Sequence, residues 1–360
     1  MKTVLTAMKV GLLLCLAVGM LLFGFPQFPA QADYDDIVAA FADMHNGSNT
    51  TTFPATSSSY DNLRSTFGPR ILSSSSSYDF HRAIDIEGSV GDDVVAPVDG
   101  EFDRYSTYSS CGHTIVLKHT FSSPITYNGR TLTQFFTWYC HLYDDGASGT
   151  DGTDDIVNNN GWVKGSPITQ GTVIGKLGQS GSATFPHVHF EVRVGTDKSF
   201  NYQLTQYGPN NIKFYGFDPH MHPMLLFEPY NYNGAGTDSY SQALTVVTAS
   251  PTAGSDVTVE YESTNDDMPL LNRVEVAIGG VAVSHTLDLN QRIGFNSIDP
   301  DVEYPDVPHF DPEPWSSSAT NYVTNLIIPG SWTSSYSGQD VTVKAYDIWG
   351  NDESVAFTLN

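Results

Sequence analysis

Apolar and polar residues alternate in short runs along most of this 360-residue chain. A period of two is the mark of strands that bury one face. Between about residues 67 and 232 the runs HRAIDIEG, DDVVAPVDGEFDRY, HTIVLKHTF, TQFFTWYCHLY, TVIGKLGQSG and HVHFEVRVG are separated by glycine turns. From about Gln242 the spacing changes. ALTVVTAS, DVTVEYEST, RVEVAIGGVAV, NYVTNLIIP and QDVTVKAYDIWGN alternate at sandwich intervals, which predicts an immunoglobulin-like β-sandwich of about 115 residues. The expected fold class is mainly β, with an antiparallel β-sheet domain at 67–232, a linker at 233–243 and the sandwich at 244–360. Insertions such as DDGASGTDGTDDIVNNNGW are too polar to order themselves by burial and read as surface loops.

The N-terminus breaks the pattern. Lys2 and Lys9 precede an apolar run from Val10 to Phe23, followed by Pro26, Pro29 and Ala30-Gln31-Ala32. That order predicts a secretory signal peptide at 1–32, cleaved after Ala32, and a secreted or periplasmic product. The run is shorter than the roughly 20 residues a spanning helix needs, and no later segment is apolar enough to span a membrane. Residues 33–66 begin with a helical candidate, Asp35 to Met44, and pass into NGSNTTTFPATSSSY, which reads as a flexible lead-in.

The chain holds 16 basic and 40 acidic residues, and two of the lysines leave with the signal peptide. So negative a chain lacks the basic footprint that nucleic-acid binding needs. Cleavage also removes Cys15, leaving Cys111 and Cys140 in a compartment where disulfides persist, so one disulfide between them is expected. From Leu244 onward there are 17 acids against three basic residues, with His285 and His309 as the histidines. The sandwich therefore offers few groups for catalysis. Its acidic, proline-rich stretch Asp299 to Pro314 reads as a solvated loop, with calcium binding as the alternative.

Histidine motifs gather in the first region. His81 and Asp85 in FHRAID are four apart, which puts them on one face of a strand; His187, His189 and Glu191 in HVHFE share a face by the same parity. His141 ends the aromatic strand WYCHL. Each motif alone is weak. Together they supply two imidazoles and a carboxylate as zinc ligands, with two further imidazoles for proton transfer.

From about Phe67 to Phe227 the residues FGPR, HRAID, APVDGEF, YCHL and GKLGQSGSATFPHVHFEVR, in that order, resemble the lysostaphin-type zinc metalloendopeptidases, the LytM-type domain of peptidoglycan hydrolases. The resemblance implies that His81, Asp85 and His189 hold one zinc ion, that His141 and His187 are the catalytic pair, and that the reaction is peptide-bond hydrolysis in peptidoglycan. An extracellular glycine-rich protein as substrate, or a non-catalytic regulator of the same fold, are the alternatives. Two positions depart from the family pattern: Ala83 and Cys140 stand where glycine is usual. Glu191 is a candidate for orienting a histidine. His113 and His119 share a face of the HTIVLKH strand. His220 and His222, with Asp218 nearby and prolines at 219 and 223, read as a bent docking segment rather than a second metal site.

Overall fold

The structure is a computed structural model that describes residues 36–41, 44, 54–55, 63–65, 67–72, 77–127, 130–146, 149, 151–196, 205–207, 212–214, 219–227, 241–264, 271–279, 285–289, 308–312, 321–348 and 352–360. The expected signal peptide, Asp218 and most of the 299–314 loop lie outside these residues. Among the described residues no helix is long and apolar enough to cross a membrane.

In the first region the strands are β1 (Leu63–Ser65), β2 (Gly68–Leu72), β3 (Ser77–His81), β4 (Ile84–Glu87), β5 (Asp93–Val95), β6 (Gly100–Tyr108) and β7 (Gly112–Tyr127). They continue with β8 (Arg130–Leu142), β9 (Pro167–Ile168), β10 (Val173–Lys176), β11 (His187–Val194), β12 (Thr205–Tyr207), β13 (Ile212–Phe214) and β14 (His220–Met221). One antiparallel sheet runs in the order β1-β4-β11-β8-β7-β6-β9, with β14 also paired to β11. The parity of β11 divides its two faces. Val188, Phe190, Val192 and Val194 join Ile84, Ile86, Ile115, Leu117 and Tyr139 in the main core, while His187, His189, Glu191 and Arg193 point to the other side.

The lead-in contributes to this core, contrary to its polar appearance. Ile37 and Phe41, in a helical segment at 36–41, are fully buried there, and Phe41 packs edge-on against Phe121 and Phe135. Ala55 bridges to Val94, and β1 pairs with β4. A few apolar residues inside a polar stretch are enough to dock a segment when a sheet face is waiting for them.

In the second region β15 (Ser241–Val246), β16 (Val257–Thr264), β17 (Leu271–Ile278), β18 (His285–Asp288), β19 (His309–Pro312), β20 (Asn321–Ile328), β21 (Asp340–Asp347) and β22 (Asp352–Thr358) form two antiparallel sheets. Their orders are β15-β16-β20-β19 and β18-β17-β21-β22. Inward residues of both sheets, among them Val259, Leu326, Val276 and Val343, share one core, so the two sheets form a sandwich.

The hairpin β2–β3 belongs to neither large sheet. Its phenylalanines, Phe67 just before β2 and Phe80 within β3, are buried in the sandwich core, although both lie in the first region of the sequence.

Candidate metal centre

Three strands bring the predicted ligands together. His81 ends β3, and antiparallel pairing sets Asp85 of β4 opposite His189 of β11. The inner atoms converge: His81 Nε2 lies 3.1 Å from His189 Nδ1 and 3.2 Å from Asp85 Oδ1, and His189 Nδ1 lies 3.0 Å from Asp85 Oδ1. Ligand atoms at zinc-binding distances of roughly 2.0–2.2 Å in tetrahedral geometry stand about 3.4 Å apart. The trio fits a zinc ion with adjustments of a few tenths of an ångström.

The outer atoms explain the orientation. His189 Nε2 donates to Glu191 Oε1 at 3.2 Å, and a carboxylate can only accept, so this nitrogen carries the proton and Nδ1 faces inward. His81 Nδ1 is paired with Ser65 Oγ at 3.2 Å, which leaves Nε2 inward. Two imidazole nitrogens and a carboxylate oxygen therefore face one another. Such a donor set repels itself unless a positive charge lies among its members.

The protonation tendencies agree. Burial, with the positive charge of Arg70, lowers His81. Burial alone would raise Asp85, but the neighbouring His81 and hydrogen bonds from His189 and His81 hold it well below the usual carboxylate range. For His189 burial acts downward and is outweighed by hydrogen bonds to Asp85 and Glu191, which raise it to about 10. The centre favours a cation at that inner face, whether a proton or a metal ion.

Glu191 is itself held from behind. Its Oε2 accepts from Arg193 Nε at 2.6 Å and from His220 Nε2 at 3.1 Å, and the Arg193 guanidinium lies 3.7 Å over the Trp138 ring. All three polar members are buried. His220 was read from the sequence as part of a docking segment, and it is one, since β14 pairs with β11. That pairing also sets His220 opposite Arg193 and beside the carboxylate, a role that no local spacing announces. His222 is buried elsewhere, capping the turn at Met224 and lying 5.3 Å from the Phe67 ring.

The predicted catalytic pair lies beside the ligands. His141 and His187 ring centres are 4.7 Å apart. His141 Nδ1 donates to the Ser180 carbonyl at 2.8 Å and His187 Nδ1 to the Phe185 carbonyl at 2.9 Å, so both present Nε2 as a lone pair. His187 Nε2 is 3.6 Å from Asp85 Oδ1. Burial lowers both, and for His141, with His187 and His189 adding to the effect, the fall reaches about 4. They are neutral at pH 7 and able to accept a proton.

His141 owes its position to an irregularity. Its φ of 63° is the positive non-glycine value among the described residues, at a register shift between β7 and β8. The backbone is held by His141 N–H donating to the Cys111 carbonyl at 2.7 Å. The loop after β10 presses on the same turn: a Cβ on Gly178 would lie 2.4 Å from the Tyr143 nitrogen, which explains a glycine there. The extra residue lies in β8, and β7 pairs regularly with β6 through His113, so His113 and His119 keep one parity but meet different surroundings. His113 stays partly exposed, with Tyr105 Oη at 3.0 Å and Asp144 at 3.2 Å, whereas His119 is buried between the Asp99 carbonyl and Thr137 Oγ1, each 2.8 Å away.

The expected disulfide is not formed in this structure. Cys111, in the turn between β6 and β7, and Cys140 of β8 are neighbouring free thiols, and a hydrogen bond from Cys140, as the largest influence, lowers Cys111. Their sulfur atoms lie within 4.8 Å of each other. Ala83, the other departure, is fully buried and accommodated.

No family model matches this chain, and no curated protein matches it significantly. Among solved structures, a zinc-containing peptidase from Vibrio cholerae is 23% identical over 41% of this chain, with a TM-score of 0.30; the match spans 37% of that protein's length. A catalytic-domain mutant of the prophage-encoded M23 protein EnpA from Enterococcus faecalis is 21% identical, covering 49% of this chain and 96% of that one, with a TM-score of 0.29. The antimicrobial peptidase lysostaphin from Staphylococcus simulans is 16% identical, covering 86% and 94%, with a TM-score of 0.30. At such scores the weight of a functional reading falls on the site's own geometry.

Proposed function

We propose that this protein is a zinc metalloendopeptidase that hydrolyses peptide bonds in bacterial peptidoglycan. The observation that carries the reading is the convergence of His81 Nε2, Asp85 Oδ1 and His189 Nδ1 within 3.2 Å of one another beside two neutral histidines with free Nε2 atoms. Those three groups would hold a zinc ion, and what it would supply when bound is Lewis acidity toward a peptide carbonyl and water. His187, turned toward the ligand cluster, would take a proton from the attacking water. His141, fixed by the Ser180 carbonyl with its ring centre 4.7 Å from that of His187, would receive that proton and pass it to the departing amine. Burial keeps both neutral, so they exchange protons without a standing charge.

The substrate class follows from the motif resemblance. Export after cleavage near Ala32 agrees with it, and in an oxidising compartment the adjacent thiols of Cys111 and Cys140 would close to a disulfide. The sandwich we read as immunoglobulin-like, because its sheet orders correspond to A-B-E-D against C′-C-F-G.

The test is a digest of purified peptidoglycan by the mature protein, with and without chelator, alongside His189→Ala. New amine termini are expected from the untreated protein alone. Equal release in all three samples sinks the proposal, and so does release from none.

A further inference from the structure

The hairpin β2–β3 has two faces with different neighbours. Arg70 pairs with Asp79 and Gly68 with His81 across the hairpin, while Pro69 pairs with Phe80. Alternation therefore places Arg70, Asp79 and His81 on one side and Phe80 on the other. The first side is the metal side. His81 offers Nε2 to the cluster, and Arg70, ion-paired to Asp79 at 2.9 Å, reaches to 3.6 Å from Asp85 Oδ2. The second side is sealed by the sandwich. Phe80 and Phe67 meet edge to face at 5.4 Å and are buried in one core with Leu289 and Phe310.

The docking point is one particular edge of the sandwich. β2 lies against β19, and a Cβ on Gly68 would stand 3.6 Å from Leu289, just beyond β18. β18 and β19 are the end strands of their sheets on that edge, and β15 and β22 close the opposite one. The packing is reciprocal, since Ile348 of the second region is fully buried in the first region's core.

We infer that the C-terminal sandwich is a structural part of the metal centre: it clamps the hairpin through Phe67 and Phe80 and so fixes His81 and Arg70. Asp85 and His189 sit on paired strands of the large sheet and need no such support. His81 lies at the end of a two-stranded ribbon, and ribbons of that size are marginal without a face to pack on. The second region is thereby more than an appended module. This role rests on the metal reading for its consequence but not for the clamp itself.

The experiment uses the full-length mature chain with Leu289→Ala and Phe310→Ala at the hairpin edge, and Phe357→Ala on β22 at the far edge as a control. Two quantities are measured: backbone amide exchange across Gly68–Leu72 and Ser77–His81, and zinc affinity by competition with a chromogenic chelator. The hairpin-edge variants should speed exchange in those segments and weaken zinc binding by roughly tenfold, the scale of losing a group that supports a ligand. Phe357→Ala should lower thermal stability while leaving both readouts in place. If the two edges have the same effect at matched loss of stability, or if hairpin exchange does not change, the clamp is refuted. Should the wild-type protein bind no zinc, the metal reading falls and the exchange data still decide the clamp.

Discussion

The two regions of this protein solve the same packing problem with opposite tolerances. In the sandwich, β16 and β20 pair through eight consecutive positions without a register shift, and Val257, Val259, Tyr261, Leu326 and Ile328 on their inward face are aliphatic or aromatic. In the first region, β7 and β8 shift register twice, a non-glycine residue is forced to positive φ, and the sheet face opposite the main core carries His187, His189, Glu191 and Arg193 beside a small apolar cluster of Val116, Phe136, Trp138 and Cys140. Regular pairing gives a face with nothing to do except pack. A face that holds converging donors needs bulges to aim them and buried partners to satisfy them.

The sharpest way to break this comparison is to remove one histidine at a time from the irregular face. His187→Ala should retain stoichiometric zinc and lose activity by about 10²–10⁴, the usual range for a proton-transfer group. His189→Ala should lose zinc itself. If both variants lose metal alike, the division between ligand and proton carrier fails.

A smaller effect is expected behind the metal. Glu191→Gln keeps the shape but replaces a pure acceptor with an amide, and leaves Arg193 without its carboxylate. Zinc affinity should fall by about 10–100-fold, measured by chelator competition. Wild-type affinity in this variant would reduce Glu191 to an ordinary strand residue.

The smallest effect concerns His119, which lies far from the ligand set in role though on the same strand as His113. Burial is the main cause of its fall to about 4, against a slight upward pull from the Asp99 carbonyl. Unfolded, it takes up a proton below about pH 6.5; folded, it resists until about pH 4. Stability is therefore constant above the first value and falls as pH drops toward the second, by on the order of 3 kcal/mol. Urea unfolding of the wild type and His119→Gln across that window should show a steeper loss in the wild type. Parallel curves would remove His119 from the account.

Parity within β11 fixes that His187, His189 and Glu191 share a face, but His81 and Asp85, expected on one face of one strand, lie on β3 and β4 of different sheets and meet only through the fold. His187, His189 and Glu191 needed no knowledge of the fold. Ser65 and His220 did. Each acts through a partner on a distant strand, β1 beside β4 and β14 beside β11, and pairing between distant strands leaves no local trace. His113 and His119 do share a parity on β7, yet parity does not tell that one lies at the exposed strand end and the other inside the core. The domain boundary was obscured by Phe67 and Phe80. A hydrophobic pattern shows that a residue is buried and not which core receives it. The lead-in misled through composition: Ile37, Phe41 and Ala55 are few among many serines and threonines, yet each found a place in the core.

The backbone of His141 has one more consequence. A residue at positive φ sits uphill of its ordinary conformation, by roughly 1–3 kcal/mol for a strained non-glycine position. The bond to the Cys111 carbonyl and the contacts with Ser180 hold it there. The two halves of the centre would thus fail differently under load. Asp85 and His189 are gripped by neighbours on both sides and have no downhill path, whereas His141 is a cocked spring: cut one tether and the turn relaxes, carrying its imidazole away from His187 while Asp85 and His189 stay in place.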